Sequence, residues 1–191
     1  MISVATPADR DRVVESLVAT FRSDPVLRHL FPDDADYPAG AGAFFGHLFD
    51  KRVARNSIWV VDGGLSAAIW EPPAVAGGPP PAELRLPEPA ASRMRAYDEA
   101  VHSALPTGPF WYLGVLGTHP DHHGKRYGQA VMAAGLERAR AEGLPAYLET
   151  STPGNVGMYQ RAGWEVVAER ADPLPIWILR HSAKSPETAL T

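Results

Sequence analysis

Apolar positions along the chain switch between the spacing of helices and that of strands, and the switches mark the elements. Ile2 to Ala5 reads as a short strand. Thr6-Pro7-Ala8-Asp9 places an N-cap before a proline at the first helical position and predicts a helix to about Phe21. Ser23 and Asp24 before Pro25 start a second, short helix ending near Pro32, and Gly42 to Ala54 forms a third with Phe45, Leu48, Phe49 and Val53 inward. Ser57–Asp62 and Leu65–Trp70 flank Gly63-Gly64, the pattern of a hairpin whose turn needs positive φ. Further on, Phe110–Thr118 is a buried strand, and Gly128–Glu142 a helix stopped by Gly143. Pro145–Thr150 is a strand and Asn155–Ala162 a short helix, and Trp164–Glu169 and Ile176–Arg180 close the sheet. The order β-α-α-α-β-β-insert-β-α-β-α-β-β predicts an α/β protein with a mixed central sheet of six to seven strands flanked by helices.

Proline changes this picture in one place. Nine of the 19 prolines fall between Pro72 and Pro109, together with Gly77, Gly78 and the run Pro79 to Pro81. Proline fixes φ and removes a donor, so this insert interrupts regular structure. Glu88 to Leu105 still predicts one helix within it, with Met94, Tyr97, Val101 and Leu105 on one stripe. The expected organisation is one domain over 1–181 with the insert at 72–109, and a flexible tail over 182–191.

Composition narrows the function. The 191 residues hold no cysteine, which excludes disulfides, thiolate metal sites and a cysteine nucleophile. The net charge of −4 and the lack of a basic block argue against nucleic acid. No apolar run suits a membrane span and no basic-then-apolar signal opens the sequence, so a cytoplasmic protein is expected.

Candidate chemistry concentrates between Trp111 and Gln129. A glycine-bearing loop from a buried strand to a helix N-terminus collects free N–H groups and the positive end of a helix dipole, and it suits an anion. Lys125 and Arg126 add charge. The plain alternative is a tight strand-to-helix turn. Gly117 and Gly124 stand too far apart for a P-loop, and Arg126 follows Lys125 where Ser or Thr is needed. Gly124 and Gly128 do not form the dinucleotide-binding spacing. His119, His122 and His123 cluster, yet the anion reading accounts for the loop, so no metal site is expected.

The stretch from Trp111 to Val167 resembles the acyl-CoA core of the GCN5-related N-acetyltransferases, the GNAT superfamily. The matching pieces are the strand into Pro120, the loop H-H-G-K-R-Y-G, the strand L-E-T-S, and N-V-G-M-Y-Q-R-A-G-W. P-D-H-x-G-K, L-E-T-S and an aromatic helix before the hairpin are similar to antibiotic-modifying enzymes of the puromycin N-acetyltransferase kind. The resemblance implies the GNAT acyl-CoA N-acyltransferase fold and acetyl-CoA as donor, with a small-molecule amine as acceptor, antibiotics and other secondary metabolites among the candidates. It implies that Leu116, Gly117 and Thr118, at a bulge, hold the pantetheine and thioester. His123, Gly124, Lys125, Arg126, Tyr127 and Gly128 would hold the pyrophosphate, Asn155 the pantetheine arm, and Tyr159 would be the general acid.

Two positions depart from the family pattern. His123 stands where Gln or Arg is usual, and Arg126 where the central glycine stands. Arg126 either crowds the pyrophosphate or pairs with a phosphate.

Glu149, near the end of its strand, is the candidate general base, with Glu71 and His119 as further candidates; the alternative for each carboxylate is an ordinary surface or capping role. Asn155 and Tyr159 share a helix face, although such a tyrosine is equally a core aromatic. Phe44, Phe45, Trp70, Tyr97, Trp111 and Tyr112 are candidate walls of an acceptor pocket, with Glu71 beside them. Their number and the lack of clustered acids in the sequence suggest a bulky, partly apolar amine rather than a polyamine. A protein N-terminal acetyltransferase and a non-catalytic CoA-binding module remain alternatives. The chain is expected as a monomer or homodimer.

Overall fold

The computed structural model describes residues 1–74 and 84–182. Gly77, Gly78, the run Pro79 to Pro81 and the tail beyond Ser182 lie outside the described residues. The elements in chain order are β1 (Ile2–Val4), α1 (Arg10–Thr20), α2 (Pro25–Leu30), α3 (Tyr37–Val53), β2 (Ile58–Val61), β3 (Ser66–Glu71), α4 (Ala90–His102), β4 (Trp111–Thr118), α5 (Tyr127–Ala141), β5 (Ala146–Thr150), α6 (Pro153–Arg161), β6 (Glu165–Arg170) and β7 (Ile176–His181). Short 3-10 turns at Pro7–Asp9 and Pro120–His122 precede α1 and α5.

The strands form one seven-stranded sheet in the order β1-β2-β3-β4-β5-β7-β6. Every pair is antiparallel except β4 with β5, and that parallel pairing covers only Trp111 to Leu113 against Ala146 to Leu148. Beyond Leu113 the two strands part. The hairpin turn has the predicted positive φ, at Asp62, Gly63 and Gly64.

Side chains alternate across the sheet and build three packed groups. Ala67, Ile69 and Val115 face α1, α2 and α3, where Val13, Leu17, Phe45 and Phe49 meet them. Ala68, Trp70, Trp111 and Leu113 face the opposite way, against Val131, Met132 and Ala139 of α5 and Tyr159 of α6. The expected helix of the insert is present as α4, and its Tyr97 and Val101 pack with Tyr147, Ile176 and Ile178.

Two helices begin earlier than the sequence reading placed them. Helix α3 begins at Tyr37, five residues before the expected Gly42. Pro38 sits in its first turn, where a missing N–H costs nothing, and at Gly40 the Phe31 ring lies 2.4 Å from where a Cβ would be, so the glycine serves packing rather than a break. Helix α6 likewise begins earlier, at Pro153.

Candidate active site

The parting of β4 and β5 opens a cleft of about 450 Å3 through the sheet. Thr20, Phe21 and Asp24 line it from the side of α1 and α2, Leu116 to Thr118 from β4, His123, Gly128 and Met132 from the loop and α5, and Thr152, Asn155 and Tyr159 from α6. Of the cofactor positions expected from the sequence, Leu116, Gly117, Thr118, His123, Gly128, Asn155 and Tyr159 meet there. Gly124, Lys125, Arg126 and Tyr127 stand outside the lining, on the loop at one end of the cleft.

The bulge is displaced from its expected place. Register between β3 and β4 slips at Gly114, where Ile69 pairs with Val115 and Trp70 with Leu113. An extra residue there bends β4, next to where its pairing with β5 ends. Further along, the His119 N–H donates to the Leu65 carbonyl at 2.9 Å. Antiparallel alternation then turns the N–H and C=O of Leu116 and Thr118 away from β3 and toward the cleft. The Thr118 carbonyl accepts from Thr20 Oγ1 at 3.0 Å and from His123 Nε2 at 2.9 Å. Leu116 therefore offers the cleft a strand edge, and His123 ties the loop to the end of β4.

The loop carries two positive φ values, at Gly124 (79°) and Arg126 (60°). Arg126 is the N-cap of α5 in the left-handed conformation, the geometry its family position would ask of glycine; such a conformation costs an L-residue roughly 1–2 kcal/mol. Lys125 Nζ donates to His122 Nδ1 at 3.1 Å, and both side chains are near Tyr127. A Cβ on Gly128 would lie 3.3 Å from Thr118 Oγ1, so α5 starts close against the strand. An anionic, amide-bearing ligand such as acetyl-CoA fits these features: helix N–H groups and two cations at one end, and a strand edge along the cleft.

Tyr159 is 7% exposed and packs edge-on against Trp164. Its hydroxyl has no hydrogen-bond partner among the described residues. Burial, with the Glu149 and Asp24 carboxylates nearby, pushes its pKa well above the ordinary tyrosine value. On the opposite face, Tyr112 donates to Glu149 Oε2. Burial raises the Glu149 pKa to about 8, and the carboxylates of Asp98 and Asp24 add to the effect. Asp24 caps α2, its Oδ1 accepting from the Val26 and Leu27 amides at 2.9 and 3.0 Å. Burial raises the pKa of Asp24 and of Asp98 as well.

Several expected pocket residues lie elsewhere. Phe45 and Phe44 are core between α1, α3 and the sheet. Trp70 and Trp111 are buried behind the sheet under α5, where the Trp70 ring takes the space a Cβ on Gly135 would need and Trp111 Nε1 donates to Glu142 at 2.7 Å. Glu71 is held by Arg52 and Arg55, each at 2.7 Å, and by Lys51 at 3.3 Å, so its carboxylate is committed to structure. Tyr112 and Tyr97 remain near Glu149. The acids Asp24 and Asp98 escaped the sequence reading, since one looks like a helix cap and the other like a helix surface residue. Both acids, from segments distant in sequence, act electrostatically on Glu149.

Residues 90–164 match the sequence profile of the Acetyltransferase (GNAT) family. Over 70 residues the chain is 39% identical to a mycothiol acetyltransferase from Propionibacterium freudenreichii, a match covering 35% of this chain and 22% of that protein. The chain thus spans about a fifth of the curated relative it matches. Among solved structures, the histone acetyltransferase HPA2 and related acetyltransferase from Corynebacterium glutamicum superposes with a TM-score of 0.68 at 23% identity, covering 98% of each chain. The Drosophila melanogaster polyamine N acetyltransferase does so with a TM-score of 0.67 at 14% identity, over 95% of this chain and 99% of that one. The fold is therefore the α/β fold of the GNAT proteins, a seven-stranded mixed sheet flanked by helices. The chain thus carries a GNAT acetyltransferase profile over residues 90–164 within a GNAT-like fold.

Proposed function

We propose that the protein is an acetyl-CoA-dependent N-acetyltransferase that acetylates the amine of a small molecule by direct attack in a ternary complex. The observation that carries this reading is the opened β4–β5 pair with an unpartnered, strongly acid-retaining phenol, Tyr159, and a carboxyl poised near neutrality, Glu149. Glu149 accepts the proton that the amine must lose. The amine nitrogen bonds to the thioester carbonyl carbon, the C–S bond breaks, and the leaving sulfur takes a proton from Tyr159. With its pKa raised, Tyr159 stays protonated across the working range and remains a donor. The Leu116 amide supports the carbonyl oxygen as charge develops on it.

Leu116 to Thr118, His123 to Gly128, and Asn155 are the residues that would hold the donor, with Arg126 and Lys125 facing its phosphates. The sequence match to a mycothiol acetyltransferase supports acetyl transfer to a small molecule. The motifs P-D-H-x-G-K and L-E-T-S favour an antibiotic or another secondary metabolite as acceptor. We place the reaction in the cytoplasm, in a single domain over 1–181, acting as a monomer or homodimer.

Calorimetric titration with acetyl-CoA tests the donor site, with micromolar binding expected. Thiol release with a panel of amines then tests turnover against a low background, because the chain has no cysteine. Absence of binding, or binding with no amine acetylated, would refute the reading.

A further inference from the structure

Asp24 is the single acid among the described residues that line the cleft. It enters from the side of α1 and α2 with Thr20 and Phe21, while Tyr159 enters from α6. Its Oδ1 is spent on the Val26 and Leu27 amides at 2.9 and 3.0 Å. Its Oδ2 has no hydrogen-bond partner among the described residues, and no salt bridge among them includes Asp24. A helix cap needs one neutral acceptor and is served as well by asparagine or serine. A carboxylate whose charge burial opposes is more than the cap of α2 requires.

A second observation is independent of the cap. Tyr159 lines the same cleft, is 7% exposed, and has a hydroxyl without a partner among the described residues. The cleft therefore presents a free carboxylate oxygen and a free phenol from two separate helices. Phe21 supplies an apolar surface beside the acid. The Asp24 N–H donates to the Phe21 carbonyl at 3.0 Å, so ring and carboxylate belong to one turn. The ring itself is packed on Phe45 with centroids 5.2 Å apart.

One acid next to an aromatic face suits a cationic nitrogen on an apolar body. We propose that Asp24 selects the acceptor: its Oδ2 takes an N–H from the reacting nitrogen of a primary alkylamine, which enters as the ammonium ion with its apolar body against Phe21. This rests on the acetyltransferase reading above. The ammonium gives one proton to the base assigned there, and the freed lone pair attacks the thioester carbon while another N–H keeps its bond to Oδ2. Arylamines and hydrazines, neutral at neutral pH, bring no charge to Asp24 and gain nothing from it.

The experiment compares benzylamine with phenylhydrazine at neutral pH and saturating acetyl-CoA, with the acetylated product quantified by chromatography. The two have nearly the same shape, but only the first is a cation. Asp24→Asn keeps the cap and removes the charge. It should raise the KM of benzylamine about tenfold or more, with kcat and the KM of phenylhydrazine each moving less than about threefold, as expected for a lost charge pair. Calorimetric affinity for acetyl-CoA should stay within about twofold, because the donor does not need this carboxylate. Rising ionic strength on the unaltered protein should raise the KM of benzylamine and spare that of phenylhydrazine, a test that needs no variant. A benzylamine KM unchanged in Asp24→Asn, a rise common to both probes, or a loss confined to kcat overturns the role of Asp24 alone. So does a benzylamine KM indifferent to salt. Acetyl-CoA binding with neither probe acetylated overturns the parent reading and this one together.

Discussion

The phenol of Tyr112 donates its hydrogen bond to the carboxylate of Glu149 beside the one parallel pair in the sheet. Leu113 pairs with Leu148, so Glu149 is the first residue of β5 past the paired stretch. The bond therefore ties the two strands at the point where they part.

Replacing Glu149 by Gln should lower kcat/KM by roughly 10²–10⁴ if it is the base. In the unaltered protein kcat/KM should rise with pH up to about 8, where the carboxyl ionises, and the variant should lose that limb. Stability carries the same signature. Between the ordinary glutamate value of 4.5 and about 8 the folded chain keeps a proton that the unfolded chain releases. Stability should fall as pH rises through this window. Thermal melts at several pH values should show a flatter profile for Glu149→Gln.

Tyr159→Phe removes a hydroxyl that holds nothing else in place. It should cut turnover by about 10²-fold or more, the scale of a lost general acid, and leave the calorimetric affinity for acetyl-CoA within about twofold. Unchanged turnover would remove Tyr159 from the mechanism.

Arg126→Gly separates backbone from charge. Releasing a left-handed L-residue should stabilise the fold by about 1 kcal/mol. Losing the guanidinium at the N-terminus of α5 should weaken acetyl-CoA binding several-fold and flatten its salt dependence, as expected for a phosphate contact. Tighter binding in the variant would show that Arg126 obstructs the loop instead.

Glu71→Gln tests the assignment of that carboxylate to structure. Arg52 is 7% exposed, and removing the charge that holds it leaves a buried cation uncompensated. The cost should be about 3–5 kcal/mol. Below the lowered melting temperature, kcat should remain close to that of the parent.

Gly135→Ala is a packing test remote from the cleft. Its Cβ would fall 2.2 Å from the Trp70 ring, which the surrounding core holds in place. Overpacking of this kind should cost about 1–3 kcal/mol and alter tryptophan fluorescence.

The elements and the loop were legible because their signals are local: Pro7 and Pro25 opening helices, Gly143 ending one, Asn155 and Tyr159 four apart. Gly114 was a readable sign of a bulge, a glycine inside a strand, but the resemblance drew attention to Leu116–Thr118 instead. Periodicity put Trp70 and Trp111 in the interior without saying which face of the sheet they join. That depends on the helix layer above them, and Gly135 of α5 receives Trp70. The electrostatic surroundings of Glu149 were illegible for a different reason. Asp24 and Asp98, which raise its pKa, are far from it in sequence, and their influence depends on how α2 and α4 pack.

The short β4–β5 ladder leaves an unclosed seam in the interior of an otherwise continuous sheet. A free strand edge normally invites another chain; here residues of α1, α2 and α6 line the cleft beside it, a setting that suits a narrow, flexible amide chain. The amide protons of Leu116 and Thr118 should exchange freely until such a chain zips the seam shut. Ligand binding would then act as the final step of sheet assembly.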